Sequence, residues 1–166
     1  MRKINIMVST ILISLIFMNC NPEKPGIGET FLSGQWYYFT QDSNYIEIYF
    51  KDCFVREYSG KFFLSSKKEY TIQDNQVILD PNNRNNLYFR VLNVIDDSTL
   101  TILNSKEEKC KLIKMDAVLQ DFFFIDSMIN KKTWDSLNNV IFGLYMNRAQ
   151  EHAGIPKEKR VNFLSD

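Results

Sequence analysis

Lys68-Glu69-Tyr70-Thr71-Ile72-Gln73-Asp74-Asn75-Gln76-Val77-Ile78-Leu79 reads as two short strands folded back on each other at Asp74-Asn75. Tyr70 and Ile72 alternate with polar neighbours on the first arm, and Val77 and Leu79 alternate on the second. Asp and Asn tolerate the left-handed backbone that a two-residue hairpin loop demands. The stretch therefore predicts a β-hairpin, and with it an antiparallel sheet.

Working outward, the same grammar repeats. Residues 35–39, 45–50 and 53–58 form strand-like runs before the hairpin, separated by Gln41-Asp42-Ser43-Asn44 and by Lys51-Asp52. After it, an Asn-rich loop at 82–86 leads to the longest run, 87–95. That run turns at Asp96-Asp97-Ser98 into 100–103, and Glu107-Glu108 leads on to 110–114. About eight strands with tight connections and no helix between them predict a mainly β fold. The expected form is an antiparallel up-and-down meander or small barrel, since closure hides the sheet edges.

Gly34-x-Trp36 at the first strand, the hairpin above, and Ser98-Thr99-Leu100-Thr101-Ile102 together resemble the lipocalin-like domains of small bacterial lipoproteins, over residues 32–115. The resemblance implies that Trp36 closes the floor of a barrel; a core aromatic of any β-domain would read the same way. An interior able to hold a small apolar ligand would be lined by Tyr38, Ile46, Ile48, Phe89, Val91 and Ile102, which alternate along the strands. Plain core packing is the other reading of these six. Tyr37, Tyr45, Tyr49 and Tyr88, if clustered on one outer face, would instead favour a protein partner.

The N-terminus carries an address. Arg2 and Lys3 precede an apolar run from Ile6 to Met18, shorter than the roughly 20 residues a membrane-spanning helix needs. The run ends in Phe17-Met18-Asn19-Cys20, which resembles the lipobox of bacterial lipoproteins, with Phe17 and Asn19 departing from the usual Leu and small residue. Lipidation of Cys20 is the expectation; an uncleaved anchor, or cleavage near Asn21, is the alternative. Residues 1–19 are then a signal peptide, 20–30 a lipidated cysteine with a Pro- and Gly-bearing flexible tether, and 31–115 the β domain. The expected address is the cell envelope, the outer membrane ahead of the inner, with the domain in the periplasm or at the cell surface.

Beyond Met115 the period changes. Residues 116–156 form a C-terminal helical extension, and 157–166 a charged, mobile tail. Val118, Phe122, Ile125 and Ile129 have helical spacing, although Phe122-Phe123-Phe124-Ile125 fits a strand equally well. A helix from about Trp134 to Ala153 follows, with Thr133 as N-cap and an apolar stripe of Trp134, Leu137, Ile141, Leu144 and Tyr145. It is expected to pack on the barrel or across one mouth.

With Cys20 lipidated, Cys53 and Cys110 remain, and the meander places them at its opposite ends, a strand length apart. Bridged Cα atoms must lie within about 7 Å, so two unpaired thiols are predicted. Acidic and basic residues balance at 20 each, and no basic stripe appears, which argues against nucleic acid. Thirteen Phe and eight Tyr suit a well-filled core. No nucleophile elbow, zinc motif, phosphate loop or C-x-x-C is present, and the single histidine, His152, reads as a solvated residue near a helix C-terminus. Asp96-Asp97 could touch calcium, but a tight turn accounts for both. No catalytic residue, metal ligand or cofactor is expected. A non-catalytic binding module for a small apolar ligand is anticipated, with an interaction or inhibitor subunit of an envelope complex as the runner-up.

Overall fold

In the computed structural model, Asp74 and Asn75 both adopt left-handed backbone, with φ of 49° and 60°. They join Lys68–Gln73 to Gln76–Leu79 in the expected register, Tyr70 opposite Leu79 and Ile72 opposite Val77. The structure describes residues 27–60, 63–80, 86–116 and 131–163. The signal segment, Cys20 and the helical reading of 117–130 lie outside the described residues, as do the side chains of Trp134 and Leu137.

Nine strands are described: β1 Gly34–Phe39, β2 Tyr45–Lys51, β3 Phe54–Ser59, β4 Phe63–Leu64, β5 Lys68–Gln73, β6 Gln76–Leu79, β7 Leu87–Asp96, β8 Thr99–Asn104 and β9 Lys109–Met115. The two-residue β4 is the one strand the sequence pattern does not announce, being too short to show a period. Neighbouring strands run β2-β1-β9-β8-β7-β6-β5-β3, and β2 pairs with β3 to close the ring. The result is a closed eight-stranded antiparallel barrel with β4 laid against the upper half of β3. It agrees with the lipocalin-like reading at the level of architecture. The β3–β5 seam is the thinnest, held by only the pairs Phe54–Glu69 and Val55–Lys68.

Alternation sorts the side chains. Trp36, Tyr38, Ile48, Phe50, Val55, Tyr70, Val77, Leu79, Phe89, Leu100, Ile102 and Leu112 fill one interior cluster. One end of the barrel is shut. Leu32 and Ile27 are buried beneath it, carried by the short helix Glu29–Leu32 and the residues before it. Trp36 is fully buried and donates from Nε1 to Leu32 O at 2.7 Å, so tryptophan does close the floor. Gly34, at φ +117°, makes the bend from that helix into β1. Ile27, placed by the sequence in the flexible tether, is thus fixed under the barrel, and its backbone N donates to Asn75 Oδ1.

The C-terminal helix runs Lys131–His152 and lies on the outer wall, not across the mouth. Ile141 and Tyr145 sink into it beside Tyr45, Tyr49 and Tyr58, whereas Leu144 stays half-buried at the margin. Residues 157–163 do not form a loose tail as expected. The Gln150 side chain accepts from Val161 N and donates to Val161 O, and Arg160 Nε donates to Ile155 O, folding the segment back along the helix.

Candidate functional site

At the open end of the barrel the interior is not filled. A cavity of about 680 Å³, within the size range of small-ligand sites, opens between the β1–β2 turn (Thr40, Asp42, Asn44) and the β8–β9 turn (Ser105, Lys106). Tyr38, Ile46, Ile48, Phe89 and Ile102 line it, five of the six residues that sequence alternation assigns to a ligand. Val91 does not; it is buried in the core, opposite Ile102 on β8.

Among the polar residues that the sequence reading did not assign to the lining, Glu57 and Tyr88 also face this space. Glu57 points inward from β3 between Val55 and Ser59. Tyr88 should point outward by strict alternation with Phe89. A β-bulge where the β6–β7 register slips, Val77 opposite Phe89 but Ile78 opposite Leu87, leaves Tyr88 as the extra residue. Both rings consequently face the interior, and the Tyr88 hydroxyl donates to Glu57 Oε2 at 2.7 Å across it. Burial first, then Glu57, holds the hydroxyls of Tyr88 and Tyr38 protonated well above the ordinary tyrosine range.

A second polar cluster sits between the barrel wall and the C-terminal helix. Glu47 points outward from β2 and is fully buried under the helix. Arg148 grips it with two bonds, Nε to Oε1 at 2.7 Å and Nη2 to Oε2 at 2.8 Å. Tyr45 donates to Oε1 at 2.8 Å and Tyr49 to Oε2, so the carboxylate is saturated. Burial works against the Arg148 charge, but Glu47 outweighs it and keeps the guanidinium protonated. His152 stacks on Tyr37 with ring centres 3.8 Å apart and meets the Tyr45 hydroxyl through Nδ1 at 2.9 Å. Since Tyr45 has one proton and gives it to Glu47, Nδ1 must carry the hydrogen of that second bond. His152 is therefore not the solvated residue expected from sequence. Burial lowers its pKa, only partly offset by Glu47 and Glu151.

This cluster clamps the helix to the barrel wall. Glu47 has no exposed surface for a substrate to reach, and each of its oxygens is already engaged. The clamp also explains the outer aromatics. Tyr45 and Tyr49 are buried and Tyr37 half-buried beneath the chain's own helix, and Tyr88 is turned inward, so the four do not present an outer face to a partner.

Cys53 is exposed and Cys110 buried, and both are free, as their placement at opposite ends of the meander predicts. Burial, then Glu108, pushes the Cys110 thiol up, which makes it a poor nucleophile. Asp96 Oδ1 accepts from Ser98 N and Ser98 Oγ, both at 2.8 Å, the bonds of a tight turn. Among the described residues no group of three potential ligands could hold a metal, and no described helix is long and apolar enough to cross a membrane. Comparisons with protein-family models, with curated proteins and with solved structures returned no match to the chain.

Proposed function

We propose that the chain is a membrane-anchored envelope lipoprotein whose barrel binds a small apolar ligand and carries no catalytic machinery. The observation that supports the binding reading is the cavity itself. An eight-stranded barrel can be filled by its own side chains, and the floor of this one is, through Trp36, Leu32 and Leu100. The upper half departs from that packing and leaves about 680 Å³ walled by Ile46, Ile48, Phe89 and Ile102. The anchor rests on Arg2-Lys3, the apolar run and the lipobox-like Phe17-Met18-Asn19-Cys20.

Two measurements on the full chain made in a bacterial host test this. Intact mass should show a diacylglyceryl-type increment and detergent partitioning, both absent in Cys20→Ser; an unmodified Cys20 overturns the anchor. Organic extraction of the purified protein should release one small apolar compound in near-stoichiometric amount, lost when Ile46→Trp fills the cavity. An empty wild-type barrel across growth conditions overturns the binding reading.

The runner-up, an interaction or inhibitor subunit, draws on a different observation. Leu92, Val94 and Ile95 of β7 are 46%, 40% and 50% exposed beyond the end of β6. Co-purification of a stoichiometric protein partner, lost on Leu92→Asp, would favour it.

A further inference from the structure

Glu57 is the carboxylate that the cavity carries below its rim. It pairs across the sheet with Ile48 and shares the cavity with Ile46, Phe89 and Ile102. Its only hydrogen bond from a described side chain comes from the Tyr88 hydroxyl, to Oε2. The ion pairs among the described residues are Arg148–Glu47 and Arg160–Glu151, and neither involves Glu57. Lys106 and Asp42 lie at the rim, one of each charge, so the mouth carries little net bias while the interior carries one negative group.

That arrangement discriminates among occupants. A purely apolar molecule would strip water from the carboxylate and replace it with nothing, a cost that offsets the gain from burying its chain. An anionic amphiphile would add repulsion in a low-dielectric space. A protonated amine restores what desolvation removes, because a charge-assisted hydrogen bond to a carboxylate is about twice as strong as a neutral one. The Tyr38 hydroxyl, which takes no hydrogen bond from a described residue, lies in the same cavity and can receive a second ammonium proton.

We propose that the cavity takes a small cationic amphiphile, its apolar part against Ile46, Ile48, Phe89 and Ile102 and its ammonium group on Glu57. This rests on reading the cavity as a ligand site, and adds a cationic head group to the apolar ligand proposed above. Octylamine and octanoate, equal in chain length and opposite in charge, are the probes. Each is titrated calorimetrically at neutral pH into the full chain carrying Cys20→Ser, so that no acyl chain on the protein competes for the cavity. Octylamine should bind at least about tenfold more tightly than octanoate. Glu57→Gln, checked for an unchanged melting temperature, should abolish the preference. Equal affinities, or tighter octanoate, overturn the cationic head group and leave the apolar cavity standing. Binding of neither probe overturns the ligand-site reading as well. The two-probe comparison on unmodified Glu57 decides the matter even if the variant fails to fold.

Discussion

At the residue scale the docking of the helix turns on Glu47, a carboxylate with no exposure, saturated by Arg148, Tyr45 and Tyr49. A buried pair of this kind gives little net stability over an apolar pair, yet removing one partner leaves an uncompensated charge. Arg148→Met should therefore lower unfolding stability by about 3–5 kcal/mol in urea titration. Glu47→Gln combined with Arg148→Met should recover most of that loss. A single variant that unfolds like wild type would mean that water reaches Glu47. His152 gives a pH signature. Its folded pKa lies below the ordinary histidine value because burial disfavours the cation. Below about pH 6.5 the unfolded chain binds the proton more readily than the folded one, so stability is lost as pH falls through that value. It levels off only once pH drops below the folded pKa. Unfolding midpoints at pH 7.5 and 5.5 should converge in His152→Gln more closely than in wild type. Few of these residue roles were legible in the chain. A lone Glu at position 47 or 57 looks the same as any solvated strand acid until burial is known. Tyr88 faces inward only because a bulge breaks the period of two.

Elements were easier to read than residues, because eight of the nine strands are long enough to show alternation and the hairpin at Asp74-Asn75 is local chemistry. The helix was legible in extent but not in its contacts. Hydropathy points to an apolar stripe with Leu144, whereas the face that docks combines Ile141 and Tyr145 with Arg148 and His152. Polar side chains become an interface here because β2 offers them Glu47 and two hydroxyls. Tyr145 shows what the docking does for the cavity. Its hydroxyl donates to Tyr45 O at 2.5 Å and accepts from Gly60 N at 2.9 Å, bridging the upper ends of β2 and β3 where their ladder stops. The same side chain lines the cavity. Tyr145→Phe keeps the ring packing and removes both bonds, so it should cost about 1–3 kcal/mol. Amide exchange at Gly60 should quicken selectively, and ligand retention should weaken with it. A loss confined to global stability, with Gly60 unchanged, would show that the helix does not hold the rim.

The whole molecule has two unlike ends. Ile27, Leu32, Trp36 and the turns at Asp74-Asn75 and Asp97-Ser98 lie at the shut floor, while Thr40, Asn44, Gly60 and Lys106 ring the open mouth. Cys20 is seven positions before Ile27, and a fully extended chain spans at most about 3.5 Å per residue. The proposed anchor therefore holds the floor within about 25 Å of the bilayer. With the floor turned to the bilayer, the mouth stands farther off by the length of β1, about 20 Å for its six residues. On this geometry the ligand exchanges with the aqueous compartment, not with the membrane, which suits a molecule that carries a charge. The two free thiols make the test practical. Cys53→Ser removes the exposed one and Cys110 stays buried, so a single label can be placed at Asn44→Cys on the mouth or Asp97→Cys on the floor. With the lipidated full chain in vesicles bearing a lipid-borne quencher, the floor label should be quenched several-fold more than the mouth label. Stronger quenching at the mouth would invert the orientation, turning the cavity toward the bilayer and making membrane lipid its source of ligand.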